Sequence, residues 1–255
     1  MSRQNDQLYN APAALEAFDA ATFADSAESR LGTNGFLGAG DLAYFEETLR
    51  KHAPVLGAPG SATEGTLVDL GCGRGALGRY LAERLGVNLV GIDTSNVALD
   101  QAREVKTSVR VRWLSCDFAD TQLESGSAAY LVSLDGIHMA TDPRAMLREV
   151  ARIAMPGAPL IFTVCVPRFR QGALDWQNGL RDHSFKVLEY LEVSEAWHAW
   201  LRKKHERRLH SATELGQRLE EREAAQAIEA SKAMLAGEPP FFTTQRRFRI
   251  TARRE

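Results

Sequence analysis

The stretch "LVDLGCGRGALGRYL", Leu67 to Leu81, constrains the fold more than any other part of the chain. An apolar strand pattern runs into glycines at 71, 73 and 75 and then into a helix pattern. Glycine weakens the interior of either element, so three at alternate positions mark a turn where the main chain must be bare. A strand that ends in such a turn and opens a helix presents unpaired N–H groups and the positive end of the helix dipole to a ligand.

Around this loop short apolar runs alternate with helical spacing. Strands are expected at Thr66–Leu70, Asn88–Ile92, Val109–Leu114, Ala129–Leu134 and Pro159–Val166, with helices near Gly75–Leu85, Ser95–Val105 and Pro143–Ile153. Nearly continuous apolar strands are buried on both faces, which a parallel sheet covered by helices provides. Right-handed crossovers then give an α/β, doubly wound, mostly parallel sheet. Beyond Val166 the pattern predicts a helix over about 172–181, a strand "FKVLEYLEV", two long polar helices (194–210 and 212–236) and a last strand, "FTTQRRFRITARR". An amphipathic helix is expected over 11–27, and helical spacing resumes at Asp41. The division expected is an N-terminal helical cap at 1–60, a core at 61–193, a helical insertion forming a substrate cap at 194–240, and a final edge strand at 241–255.

The chain has 255 residues, 44% apolar and 25% charged, enough for a sizeable core without staples. Its net charge of -2 offers no global attraction to nucleic acid or an anionic membrane. Three scattered cysteines without C-x-x-C spacing read as buried thiols, and no stretch approaches 18 consecutive apolar residues. A cytoplasmic, soluble protein is expected.

Gly71, Gly73 and Ala76 also fit a dinucleotide fingerprint, with Asp93 22 residues beyond Gly71. Asp69, two residues before Gly71, would oppose a pyrophosphate, and a second acid, Asp117, follows the third strand. A cofactor carrying positive charge suits these acids better. At "VDLGCGRG", "LVGIDTS", "CDF" and "AAYLVSLDGIHMATDP" the sequence resembles the class I S-adenosylmethionine-dependent methyltransferases, in particular those acting on small molecules. The resemblance covers roughly Leu67 to Val166 and implies a seven-stranded Rossmann-like sheet with its last strand antiparallel. It also implies S-adenosylmethionine as methyl donor, with S-adenosylhomocysteine as product.

Carried over by position, the resemblance places Gly71, Gly73 and Gly75 against the methionine part and ribose, and Asp69 as holding the loop and the ammonium. Asp93 would take the ribose hydroxyls beside Thr94, Asp117 and Phe118 the adenine, and the Leu134 main chain and Asp135 would sit near the methyl. Arg30 is a candidate for the cofactor carboxylate. Asp69 or Asp117 capping a turn stays open. Cys72 reads as a loop filler.

The candidate catalytic residues are His138, as general base with packing or hydrogen bonding as the competing reading, and Asp135, as base or acceptor-orienting group. Trp197 and Trp200, three apart in "VSEAWHAWLRKKHERR", and Trp176 are candidates for a substrate pocket suited to a flat or cationic acceptor, with core packing as the competing reading. The basic run Arg202, Lys203, Lys204, Arg207 and Arg208 is followed by compensating acids, which favours a solvated helix pair over nucleic acid. The Arg-rich end at 246–254 reads as an edge strand whose charge needs no partner. His205 and His210, five apart, are rotated by roughly 140° on a helix, so no metal site is expected. The expected partner is a small-molecule methyl acceptor, with a homodimer left open. The competing functions are an RNA methyltransferase and a catalytically silent S-adenosylmethionine-binding protein, with a nicotinamide dehydrogenase last.

Overall fold

A computed structural model of the chain describes residues 15, 18, 19, 21, 36–38, 40–55, 65–167, 175–237 and 240–255. Arg30 and most of the helix expected over 11–27 lie outside the described residues; Leu15, Phe18, Asp19 and Ala21 are helical.

The elements follow in the order α1 (Asp41–Lys51), β1 (Thr66–Leu70), α2 (Ala76–Leu85), β2 (Asn88–Asp93), α3 (Asn96–Glu104), β3 (Val111–Ser115), β4 (Tyr130–Ser133), a 3-10 turn (Ile137–Met139), α4 (Pro143–Ile153) and β5 (Pro159–Pro167). Then come α5 (Trp176–Asp182), β6 (Phe185–Glu192), α6 (Ser194–His210), α7 (Ala212–Arg218), α8 (Glu221–Ala236), the single turn α9 (Phe241–Thr244) and β7 (Gln245–Arg254). Local chemistry sets several starts: the Ser95 hydroxyl caps α3 by accepting from Ala98 N, and Asp142 caps α4 just ahead of Pro143.

One seven-stranded sheet has the order β3-β2-β1-β4-β5-β7-β6. Strands β1 to β5 are parallel, and β7 runs antiparallel to both β5 and β6. The C-terminal ends of the parallel strands therefore share one edge, and β7 begins at that edge, with Arg247 opposite Cys165.

Three expectations change. Residues 212–236 form two helices, α7 and α8, broken at Leu219–Glu220 where Leu219 turns extended. Residues 242–244 close a helical turn and β7 starts only at Gln245. Most consequentially, β7 lies between β5 and β6, so the edge strand is β6 and the final strand is interior. Its arginines are partnered accordingly. Helix α1 covers one face of β7, where Arg249 pairs with Asp41 at 2.7 Å and stacks 3.5 Å from the Tyr44 ring centroid. The Tyr44 hydroxyl bonds Thr251 and donates to Glu189, each at 2.7 Å. These partners lie 60 to 208 positions away in sequence, so strand alternation alone gave no sign of them.

Two glycines and one acid show how tightly the layers fit. A Cβ at Gly91 of β2 would stand 2.3 Å from the Trp113 indole, and one at Gly78 of α2 2.7 Å from Asp69 Oδ2. Asp69, 2% exposed on β1, therefore lies beneath the first turns of α2, accepting from Gly78 N at 3.0 Å. Burial, opposed by that bond and reinforced by Asp93, pushes its carboxyl up to about 7. Folding thus favours the protonated acid, whose unfolded value is about 4. The resulting stability is intact below pH about 4 and is lost as pH rises through about 7. Asp69→Asn, which keeps an acceptor for Gly78, is expected to raise the urea midpoint at pH 8, with the gain vanishing near pH 4. Gly91→Ala is expected to cost about 1–3 kcal/mol by overpacking, and shortening the neighbour in Gly91→Ala/Trp113→Leu should return part of it in the same urea assay.

Candidate active site

At the end of β1 the chain turns sharply: Gly71 N and Cys72 N both donate to Ile92 O, at 2.8 and 2.9 Å. Gly71, Gly73 and Gly75 have φ of 75°, 53° and 68°, the left-handed region that side chains disfavour. What approaches this bare backbone includes the protein itself. A Cβ at Gly71 would meet Gly136 Cα at 2.8 Å and the Phe118 ring at 3.4 Å, and one at Gly75 would meet the Trp113 ring at 2.1 Å. The loop is thus pressed between the turn after β4 on one side and β3 on the other.

Gly73 N donates to Asp93 Oδ2 at 2.8 Å, and Asp93 Oδ1 accepts from Ser95 N at 2.9 Å. Asp93, at the end of β2, is thereby fixed against the loop. Phe118 is buried with its ring beside Gly71, an apolar wall suited to a flat base. Asp117 is exposed and caps a turn by accepting from Ala119 N at 2.8 Å. Thr94 follows Asp93 half-buried. The Cys72 thiol donates to Gly73 O at 3.6 Å, and burial, with Asp69 and Asp93 adding to it, pushes its pKa well above the ordinary range. It is inert as a nucleophile at neutral pH. These donors and acceptors fit an adenosyl group, with Asp69 supporting the loop from inside the protein.

Across the edge, β4 ends at Ser133, whose hydroxyl donates to Leu70 O at 2.6 Å and accepts from Ile137 N at 2.9 Å. Between them lie Leu134, half-buried, and Asp135, a non-glycine residue at φ 54°. Its carboxylate, expected as a base, is bound by the Arg247 fork: Nε to Oδ1 at 2.9 Å and Nη2 to Oδ2 at 2.8 Å. Thr163 Oγ1 accepts from Asp135 N and donates to Oδ1, both at 2.9 Å. Arg247 is 0% exposed and also donates to Phe36 O at 2.7 Å and to Thr163 Oγ1 at 3.1 Å. Both carboxylate oxygens are thus engaged within the protein.

His138 sits on the following 3-10 turn with a buried Nδ1 that has no hydrogen-bond partner among the described residues. Burial holds its pKa below the ordinary histidine value, Asp135 raising and Arg247 lowering it further. It is neutral at pH 7, the form required of a base.

The tryptophans separate. Trp176 lies in the main core, 5.2 Å from the Phe162 ring and 5% exposed, so the expected grouping with Trp197 and Trp200 is corrected: α5 packs beneath the sheet's far half. Trp197 stands 5.9 Å from the Arg247 guanidinium and 5.2 Å from Phe241, and Trp200 is 5.5 Å from Phe36, whose ring lies 4.9 Å from that guanidinium. Both thus belong to the Arg247 side of the edge. Most of the basic run on α6 is engaged within the chain. Arg208 and Lys204 pair with Asp19, Arg207 lies over Phe18, and Arg202 lies 4.0 Å over Phe242.

Arg247 and Phe36 were absent from the sequence-based candidates. No local pattern distinguishes Arg247 from its neighbours Arg246 and Arg249; only its pairing with a residue 112 positions away does.

Residues 67–157 match the family described as "Methyltransferase domain". The chain is similar to phosphoethanolamine N-methyltransferase 2 of Caenorhabditis elegans, 31% identical over 39% of this chain and 23% of that protein. It is also similar to the chloroplastic tocopherol O-methyltransferase of Arabidopsis thaliana, 28% identical over 48% of this chain and 37% of that one. The match thus spans less than two fifths of either relative. In fold it resembles Haemonchus contortus phosphoethanolamine N-methyltransferase 2, solved with phosphomonomethylethanolamine and S-adenosylhomocysteine, with a TM-score of 0.67, 17% identity, and coverage of 92% of this chain and 57% of that one. The residues that match a methyltransferase domain, 67–157, thus carry the glycine loop and Asp93 within the 3-2-1-4-5-7-6 sheet.

Proposed function

We propose that the protein transfers a methyl group from S-adenosylmethionine to a small-molecule acceptor. The observation that carries this reading is the Asp93 carboxylate, tied to Gly73 N at a bare, left-handed loop where three strand ends converge. A similar fold solved with S-adenosylhomocysteine adds support. Asp93 and Thr94 hold the ribose, Gly71, Gly73 and Gly75 the main chain of the cofactor, Phe118 and Asp117 the adenine, and the Leu134 main chain lines the methyl side. Asp69 acts from below by fixing α2 against the loop.

The cofactor, when bound, supplies a methyl group activated by a sulfonium, so the chain's task is to align an acceptor and exclude water. Phe36, Trp197 and Trp200 give an apolar, aromatic surroundings to the Arg247 side of the edge. That surface suits a flat acceptor. His138 takes the proton from an acceptor hydroxyl, because its burial keeps the ring neutral and Nδ1 has no competing partner among the described residues. A hydroxyl acceptor is therefore favoured over an already nucleophilic amine. The intrachain pairing of the α6 cations favours a metabolite over RNA as the acceptor.

Calorimetry tests the cofactor reading. The protein is expected to bind S-adenosylmethionine and S-adenosylhomocysteine but not NAD, and Asp93→Asn to weaken binding about 10- to 100-fold through lost charged hydrogen bonds. Undiminished binding by that variant would refute the ribose assignment. Labelled methyl transfer into cell extracts, followed by mass spectrometry, identifies the acceptor. With a hydroxyl acceptor, His138→Gln is expected to lower kcat on the order of 100-fold or more. In the wild type the rate should fall only below pH about 6.5, the ordinary histidine value, and the variant should lose that acid limb.

A further inference from the structure

We propose that Arg247 is a positioning residue for methyl transfer: it holds Asp135 in a left-handed conformation and so fixes the turn carrying Leu134, Gly136 and His138 against the glycine loop. This rests on the reading above for its link to methyl transfer, but the placement itself stands on geometry.

Asp135 is one of three non-glycine residues at positive φ among the described residues. Aspartate tolerates that region better than most side chains, yet at a cost, and a strained residue persists where its surroundings over-determine it. Here they do. The carboxylate takes both prongs of the Arg247 fork, its N–H donates to Thr163 Oγ1, and Phe36 N reaches Oδ2 at 3.4 Å. Arg247 in turn is anchored from every side. Its own N–H donates to Ser194 Oγ at 2.9 Å, its carbonyl accepts from Val193 N at 2.8 Å, and its guanidinium lies beneath Phe36 and Trp197.

The consequence falls on the next residues. Gly136 lies so close to Gly71 that a Cβ on either would clash with the other's backbone, at 2.9 Å and 2.8 Å. Met139 N closes back onto Gly136 O at 2.9 Å, setting the 3-10 turn that carries His138. A small rotation at Asp135 would therefore move both the contact with the cofactor loop and the candidate base. A planar two-pronged donor suits this task, whereas a lysine cannot hold both carboxylate oxygens in one plane. The strand that supplies Arg247 is the last in the chain, so the methyl side is complete only once β7 has been inserted between β5 and β6.

The test separates positioning from bulk stability. Arg247→Met alone leaves a half-buried carboxylate without its counter-charge and is expected to be less stable. The pair Asp135→Asn/Arg247→Met removes both charges and is expected to recover most of the melting temperature. In that ligand-free double variant, hydrogen exchange of the Asp135 to Met139 amides should accelerate at least about tenfold while the amides of β1 and β2 stay protected. At saturating S-adenosylmethionine, labelled methyl transfer into extract should fall at least about tenfold, with KM for S-adenosylmethionine within about threefold of wild type. Arg247→Lys, which keeps the charge, should preserve melting but still speed exchange at Asp135 several-fold, and covers the case in which the double variant fails to fold. Exchange and transfer both unchanged in the double variant, or exchange unchanged in Arg247→Lys, would overturn the proposal. A wild type that transfers no methyl group would sink the functional reading instead, and the exchange arm would still decide whether Arg247 places the turn.

Discussion

The contact on which the functional edge depends is the meeting of two bare backbones, Gly71 at the end of β1 and Gly136 after β4. Neither can carry a side chain, because each occupies the volume where the other's Cβ would stand. Ser133 secures the approach from within, donating to the last carbonyl of β1 while accepting from Ile137 N. The glycine loop is thus as much a packing solution as a ligand cradle.

From that contact the chemistry divides between two neighbouring strand ends. On the β2 side a carboxylate bridges the loop and the start of α3, with Asp93 bound to Gly73 N and Ser95 N. On the β4 side a carboxylate is neutralised by a buried guanidinium. The same residue type therefore does different work. Asp93 ties the loop to the start of α3, Asp135 is engaged by Arg247 and Thr163, and Asp69 is driven toward its neutral form beneath the helix. Environment, set by which element packs above each acid, decides among these outcomes.

The three conformational expectations that failed differ in cause. The interior place of β7 depends on pairing with strands far away in sequence, whereas the turn that delays its start closes locally, Thr243 N and Thr244 N both donating to Pro240 O. Alternation along "RRFRITARR" is the same whether its arginine face meets water or helix α1. The acids that fill that face, Asp41, Asp135 and Glu189, come from three separate elements. Trp176 likewise has the composition of a pocket residue, and only the position of α5 against Phe162 makes it core.

The sequence by itself determined the alternation of strands and helices from β1 to β5, the glycine loop with its acids at strand ends, and the place of His138 after the fourth strand. Those are written in short-range patterns: apolar runs of strand length, helix caps and residues that tolerate positive φ. Only the tertiary structure decided that β7 enters the sheet's interior, that Arg247 reaches Asp135, and that Trp197 and Trp200 gather with Phe36 above that pair. The reason is physical. A buried charge is tolerable only beside its counter-charge, and here the counter-charge is 112 residues away, brought within 3 Å by strand order rather than by any spacing along the chain.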